Sequence, residues 1–191
     1  FDSASSSTLR RTPSSAGNRT TWSFSAWIKR SKLSAFQMIL EAGSGSVAVD
    51  SRLFHAFTTG DAMEASSGTV NFGSSSALLR DTNSWNHIFI KLTGGTETFY
   101  LNGNSIKSHS ISGNTAVNST VAHGIGCRSD TSSNSFGGYM AEVLLFDGTA
   151  YDPTDVAESK NGVWIPKDPS SLTFGTNGVH LKFENASDLG N

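Results

Sequence analysis

The stretch Thr21-Trp-Ser-Phe-Ser-Ala-Trp-Ile-Lys-Arg30 decides the fold class. Apolar side chains occupy every second position of its first half: Trp22, Phe24, Ala26 and Ile28. Because side chains of a strand alternate between two faces, this spacing predicts a half-buried β-strand. Trp27 places a large ring on the otherwise polar face, so we expect the edge of a second sheet or a loop to cover that face as well.

Shorter alternating segments follow along the chain, and glycine-rich turns separate them. Asn102-Gly103 is the strongest hairpin signal, because both residues tolerate the positive φ angles of a type I′ turn. Turn signals return at intervals of about 8–12 residues with almost no helical pattern, which is typical of an antiparallel sandwich. The sequence therefore predicts an all-β fold of two stacked antiparallel sheets, a jelly-roll β-sandwich.

The predicted strand over residues 139–146 is apolar on both faces. Alternation places Tyr139, Ala141, Val143 and Leu145 on one face and Met140, Leu144 and Phe146 on the other. A strand that is apolar on both faces is buried on both, so we expect it in the middle of a sheet.

One short helix is predicted near residues 152–159. Asp152 is a suitable N-cap, and Pro153 fits the first helical position. Asp155 and Glu158 follow in the first turns. We interpret this acidic cluster as helix capping and compensation of the helix dipole rather than as a catalytic group.

Length and composition restrict the partners. The chain has 191 residues, of which 36% are hydrophobic and 16% charged, so it is expected to form one domain over residues 1–191 with a sizeable core. The net charge is −2 and the basic residues are scattered, which argues against nucleic acid as a partner. No apolar run approaches the roughly 18–20 residues that span a bilayer, which argues against membrane insertion.

No pattern of catalytic side chains is present. Retaining glycoside hydrolases place two carboxylates about 5–5.5 Å apart, most simply by alternating acidic residues along one strand, and no such run occurs here. Glu142 alternates with large apolar residues, so we expect a hydrogen-bond partner for its carboxylate. The five histidines lack zinc-site spacing. The sequence predicts a protein that is not an enzyme.

Six segments carry a family resemblance through their order and spacing: Trp22–Trp27, Trp85–Ile88, Phe99–Gly103, Gly124–Gly126, Gly137–Val143 and Asp152–Val156. Together they resemble laminin-G-like, concanavalin A-like jelly-roll domains. The resemblance implies two stacked antiparallel sheets over nearly the whole length. Relatives in this family often hold calcium between loops, which makes calcium a candidate cofactor here. The candidate ligands, by residue type alone, are Asp50, Asp61, Asp130 and Asp147, with ordinary turn roles as the alternative.

A narrower resemblance links the chain to the versions of this domain in phage tail fibres and on virion surfaces, which are common in marine phages. It rests on Arg11–Trp22, on Gly138–Val143 with Asp147-Gly148 and Asp152-Pro153, and on Asn161–Lys167 followed by Phe174–Gly178. The resemblance implies a virion-surface location, on a tail fibre or a capsid. The start at Phe1 and the end at Leu189-Gly-Asn191 indicate a piece of a longer chain.

We therefore expect a non-catalytic binding or adhesion domain that recognises a host-surface glycan or another surface ligand. Sugar recognition needs an aromatic platform, and Trp164 is the candidate for it, with packing against the sandwich as the alternative. Two other functions stay open. One is a structural module that builds a fibre or decorates a capsid through contacts with its own copies or with other virion proteins. The other is an extracellular adhesion domain of a cellular protein.

Overall fold

The computed structural model describes residue 1, residues 9–45 and residues 47–183. The strand predicted within residues 21–30 is present as β2, Trp22–Arg30. Trp22, Phe24, Ala26 and Ile28 are fully buried on one face of β2. Trp27, on the opposite face, is 8% exposed, so the expected cover over that face is confirmed.

The described chain contains fourteen strands and one short helix, with the following bounds. They are β1 (Leu9–Arg11), β2 (Trp22–Arg30), β3 (Gln37–Ala42), β4 (Leu53–Phe57), β5 (Ala62–Ser66), β6 (Asn71–Leu78), β7 (Asn86–Thr93), β8 (Thr96–Leu101), β9 (Asn104–Ser110), β10 (His123–Ile125), β11 (Gly138–Asp147), α1 (Pro153–Val156), β12 (Ala157–Lys160), β13 (Val163–Pro166) and β14 (Val179–Leu181).

Two six-stranded sheets contain all of these strands except β12 and β13. Sheet A has the spatial order β1-β10-β3-β4-β5-β6, and sheet B has the order β14-β11-β2-β7-β8-β9. Every pairing between neighbouring strands is antiparallel. β12 and β13 form a separate hairpin. The predicted all-β, two-sheet antiparallel sandwich is confirmed.

The core lies between the two sheets and takes large side chains from both. Sheet A supplies Ile39, Leu53 and Phe57, and sheet B supplies Trp22 and Phe99, all fully buried. Burying a side chain of this size stabilises the folded state by roughly 1.5–3 kcal/mol relative to leaving it in water. The sandwich is therefore held together mainly by its inner faces.

The predicted Asn102-Gly103 hairpin is present between β8 and β9. Asn102 has a φ of 49° and Gly103 a φ of 81°, and the residues on either side, Leu101 and Asn104, are paired. This is the two-residue connection with two left-handed residues that the dipeptide predicts.

Strand β11 lies inside sheet B between β14 and β2, as predicted, but its alternation is interrupted. Its register with β2 shifts between Ala141 and Leu144, and Glu142, within the shift, has a left-handed φ of 47°. An extra residue of this kind is a β-bulge, which exchanges the faces of all residues beyond it.

The bulge corrects the predicted faces of this strand. Met140 lies in the core together with Val143 and Leu145, whereas unbroken alternation had placed Met140 on the opposite face. Tyr139 was predicted to share a face with Val143 and instead points away from the core, where it is 62% exposed. The prediction failed because one residue of the strand adopts a conformation that residue type alone does not reveal.

The predicted helix is present but shorter than residues 152–159. Helix α1 covers Pro153–Val156, and Ala157 is extended and begins β12. The Asp155 carboxylate accepts the backbone N–H of Asp152 at 2.7 Å, which fixes the start of the helix. Among the described residues no helix is long and apolar enough to cross a membrane.

One charged cluster lies inside the sandwich and links its two sheets. The Glu97 carboxylate, on β8 of sheet B, lies 3.0 Å from His55 Nε2 on β4 of sheet A and 3.0 Å from His109 Nε2 on β9. Burial alone would raise the pKa of Glu97, but His55 and His109 outweigh that effect and lower the pKa to about 2. The carboxylate is therefore ionised inside the core.

Removing this carboxylate should destabilise the sandwich. In Glu97→Ala the buried His55 ring loses its hydrogen-bond partner and His109 loses the carboxylate beside it. We therefore expect the free energy of unfolding at pH 7 to fall by about 3–5 kcal/mol, as for other broken buried pairs. Urea unfolding followed by tryptophan fluorescence measures this. Glu158→Ala, at an exposed position of β12, is the control and should change stability little. Equal stability of the two variants would contradict the assigned role of Glu97.

Candidate functional site

The outer face of sheet B, turned away from sheet A, is covered over part of its area. The cover is formed by residues 151–174, here called the covering segment, which contains α1, β12 and β13. Its apolar side chains pack on three buried side chains of the sheet, Phe89, Leu144 and Phe146. The segment contributes Tyr151, Val156, Leu172 and Phe174 to this contact.

Trp164 belongs to this cover. Its indole N–H donates to His87 Nδ1 at 3.1 Å, and its ring lies over the hairpin at Gly103, where an added Cβ would be 2.9 Å from the ring. His87 in turn stacks on Trp27, with ring centroids 5.2 Å apart. The structure thus places Trp164 in packing, the alternative raised from the sequence, and a ligand-binding role for it stays a prediction.

The hydrogen bonds of His87 fix its protonation state. Because an indole N–H can only donate, Nδ1 of His87 must be unprotonated, and Nε2 lies 2.8 Å from the Ser25 hydroxyl. Burial lowers the pKa of His87 to about 4. The neutral ring is therefore part of the attachment of the covering segment.

This shift predicts a pH-dependent stability. Between pH 6.5 and about 4 the unfolded chain binds the proton and the folded chain does not, so stability is fully present above pH 6.5 and is lost as pH falls through that window. The loss from this residue should be roughly 2–3 kcal/mol by about pH 4.5.

Urea unfolding of the wild type and of His87→Gln, each at pH 7 and at about pH 4.5, isolates the contribution of His87. Burial also lowers the pKa of His123, but that residue contributes equally to both proteins and cancels. The variant should have a lower stability at pH 7 and a shallower pH dependence. Identical pH slopes for the two proteins would show that His87 does not carry this linkage.

Beyond the covering segment, three outward-facing side chains form a row across sheet B. Tyr139 on β11 is the direct partner of Lys29 on β2. On the other side of β2, Ile28 pairs with Asn86 of β7, so Lys29 stands opposite the preceding residue, Trp85. We call Trp85, Lys29 and Tyr139 the aromatic row.

The two rings of the aromatic row are open to solvent. Trp85 is 43% exposed and Tyr139 is 62% exposed. Tyr139 is on β11 and Trp85 directly precedes β7, the two strands that flank β2. Since neighbouring strands are about 4.7–4.9 Å apart, the two backbones are about 10 Å apart. Exposed large rings that share one face are a common feature of binding surfaces.

Sequence reasoning missed this row. Alternation in residues 85–92 is visible in the sequence, but it does not show which outward side chains another segment covers. Phe89 and Trp85 face the same way, yet Phe89 is fully buried and Trp85 is not. The cover comes from residues 151–174, so no local signal distinguishes the two rings.

The four aspartates proposed as calcium ligands lie in separate surroundings. Asp61 is buried against Arg30 at 3.1 Å, and Asp130 pairs with Arg128 at 3.0 Å. Asp50 is exposed and accepts the Ser51 hydroxyl at 3.1 Å.

Asp147 is engaged by the backbone. It accepts the backbone N–H groups of Asn18 at 2.6 Å and Asn177 at 3.0 Å. Within the described ranges no group of three or more His, Cys, Asp or Glu side chains is arranged to hold a metal ion. The residues present do not fit a calcium site, and calcium binding stays a prediction without geometric support.

The carboxylates considered for catalysis also have structural partners. Glu142 pairs with His180 at 2.7 Å, which supplies the hydrogen-bond partner expected for it. Asp152 pairs with Lys91 at 2.7 Å, and Asp155 caps α1. Glu158 is exposed on β12. The aromatic row consists of two aromatic rings and one ammonium group.

The comparison with protein families decides the family. Residues 3–157 match the laminin-G-type model described as the concanavalin A-like lectin/glucanases superfamily. The chain belongs to this superfamily. No curated protein matches the chain.

Solved structures similar to this superfamily member include proteins named for carbohydrate binding. A Bacteroides ovatus protein inferred to bind carbohydrate has a TM-score of 0.65 at 15% identity, over 94% of this chain and 49% of its own, so the chain spans about half of that protein. Domain 4 of the extracellular arabinanase AbnA from Geobacillus stearothermophilus, in complex with arabinotriose, has a TM-score of 0.57 at 15% identity, over 75% of this chain and 68% of its own.

A third similar structure is the carbohydrate-binding module CBM40 of a Ruminococcus gnavus IT-sialidase. Its TM-score is 0.55 at 15% identity, over 77% of this chain and 95% of its own. The same module has been solved with sialyllactose. At these identities the similarity establishes a shared fold.

Proposed function

We propose that this chain is a non-catalytic glycan-binding domain and that the aromatic row is its binding surface. The observation that carries the proposal is the exposure of two large rings, Trp85 and Tyr139, on one face of a rigid sheet. An aromatic ring offers a flat apolar surface to the C–H face of a sugar, and burial of that surface contributes to affinity. A glycan laid across the strands contacts both rings at once.

Two further observations support this proposal. Side chains held by paired strands are preorganised, so a ligand does not have to order them on binding. In addition, one structure of the same fold is named as a carbohydrate-binding module and was solved with sialyllactose, and another, domain 4 of AbnA, was solved with arabinotriose. That similarity supports glycan binding by this chain. The position of the binding site is argued from the residues of this chain alone.

We place this activity on a phage virion, with a host-surface glycan as the ligand. The support is the sequence resemblance of residues 11–22, 138–153 and 161–178 to virion-surface domains. One of these stretches forms β13 and supplies Trp164 to the covering segment. Immunogold labelling of intact particles tests the location: label on a tail fibre or capsid is expected, and a parent gene outside a phage genome would overturn it.

The alternative function is assembly of a fibre or of a capsid decoration. The mass of the protein in solution distinguishes it from glycan binding. We expect size exclusion with light scattering to show no stable oligomer whose contacts cover the aromatic row. A stable oligomer that binds no glycan would favour the assembly role instead.

The binding surface is tested by truncating its rings. Trp85→Ala and Tyr139→Ala should each weaken binding of a glycan selected by the wild type at least about tenfold, equivalent to about 1.4 kcal/mol, because the stacked area is lost. Tyr139→Phe keeps the ring and should retain most of the affinity. A glycan array identifies the ligand, and isothermal titration calorimetry measures the affinities.

The matched control is Val70→Ala. Val70 is 45% exposed and lies between β5 and β6 of sheet A, away from the row. This variant should bind like the wild type. Unchanged affinity in both ring variants would show that the glycan binds elsewhere, and no binding of any array glycan by the wild type would remove the proposed function.

A further inference from the structure

Lys29 lies at the centre of the aromatic row, with its ammonium group unpaired. Its backbone is on β2, between Tyr139 of β11 and Trp85 beside β7. Within residues 9–45 and 47–183 the Lys29 ammonium forms no hydrogen bond or salt bridge. A second lysine on the same outer face, Lys91, is neutralised by Asp152 at 2.7 Å. The row therefore has a positive charge available to a ligand.

The nearest acidic group does not satisfy this charge. Asp81 is exposed, and its pKa is lowered first by hydrogen bonding to Ser84, then by Asn83 and, more weakly, by the charge of Lys29. Its Oδ1 accepts the backbone N–H of Asn83 at 2.7 Å. Asp81 thus serves its own turn and interacts with Lys29 only at a distance.

The other charged groups of this region are occupied as well. Arg30, the next residue on β2, points to the opposite side and pairs with Asp61 at 3.1 Å. Glu142, beyond Tyr139 on β11, pairs with His180. Arg30 and Glu142 therefore offer no free charge to a ligand on the row, whereas the Lys29 ammonium has no ion-pair partner among the described residues and is positive.

The shape of the row restricts how a glycan lies on it. The backbones that carry the two rings are about 10 Å apart, and the backbone of Lys29 lies between them. A sugar chain that stacks on both rings must pass over Lys29, so the sugar between the stacked units is the one nearest the ammonium.

We infer that the aromatic row binds internal units of a linear acidic glycan, with a carboxylate or sulfate of the middle sugar paired to Lys29. This inference rests on the proposed function. A charge-assisted hydrogen bond from an ammonium to such an anion is stronger than one to a neutral hydroxyl. The row should therefore bind acidic glycans more tightly than neutral ones. The two flanking rings supply stacking that does not depend on ligand charge.

The test compares ligands that differ only in charge. For the carboxylate, the acidic ligand is oligogalacturonate and the neutral ligand is its methyl ester. For sulfate, the acidic ligand is a sulfated oligogalactan and the neutral ligand is its desulfated form. We expect the wild type to bind at least one acidic form about tenfold or more tightly than its neutral counterpart by calorimetry. That preference should shrink as salt is raised from about 0.05 M to about 0.5 M, because salt screens exposed charges.

The variant Lys29→Met assigns the preference to this side chain. It should reduce the ratio of acidic to neutral affinity to near one while neutral binding persists, and Lys29→Arg should restore the ratio. Lys107→Met, on the edge strand β9, is the matched control and should keep the wild-type ratio. Equal thermal unfolding midpoints would verify that the variants are folded.

The outcomes separate the two proposals. If Trp85→Ala and Tyr139→Ala lose all binding but Lys29→Met leaves the acidic preference intact, glycan binding stands and the assignment to Lys29 is overturned. The same holds if the wild type binds neutral and acidic forms equally. If the wild type binds none of these ligands and no array glycan, both proposals fall.

Discussion

The structure depends on keeping both faces of the second half of β11, from Val143 onward, out of water. This strand lies between β14 and β2, with its inner side chains in the core and its outer side chains Leu144 and Phe146 under the covering segment. Met140 and Val143 both face the core although they are three positions apart, which a regular strand does not allow. The bulge at Glu142 resolves the conflict at the cost of a left-handed residue, and it turns Tyr139 outward.

The covering segment then decides which outward side chains become interior and which become surface. Phe89 and Phe146 are buried beneath it, whereas Trp85 and Tyr139 lie beyond its reach. The proposed binding surface is thus what remains of a sheet face after a third layer has packed on it. Because Lys29 and Tyr139 are paired across β2 and β11 and Trp85 directly precedes β7, the spacing of the row follows the spacing of these strands.

Much of the fold could be predicted from the sequence, because period-two patterns and turn residues act locally. The alternation from Trp22 to Ile28 and the Asn102-Gly103 hairpin are both present as expected. The need to cover Trp27 was also visible, although the partner, His87, was not. The structure of such segments can be predicted from their own residues.

The candidate site could not be predicted for a different reason. The exposure of Trp85 depends on where residues 151–174 end on the sheet, and the direction of Tyr139 depends on a one-residue bulge. Trp164 was selected by sequence because its surroundings looked exposed, yet its indole finds an acceptor in His87, far away in sequence. Long-range packing of this kind leaves no trace in local residue patterns.

The two buried imidazole contacts imply an order of events when the domain is acidified. His87 gains a proton near pH 4 and then loses its ability to accept the Trp164 indole, whereas Glu97 stays ionised between His55 and His109 until about pH 2. Between about pH 4 and pH 2 we therefore expect the attachment of the covering segment at His87 to be weakened while the Glu97 carboxylate still lies charged between the two sheets.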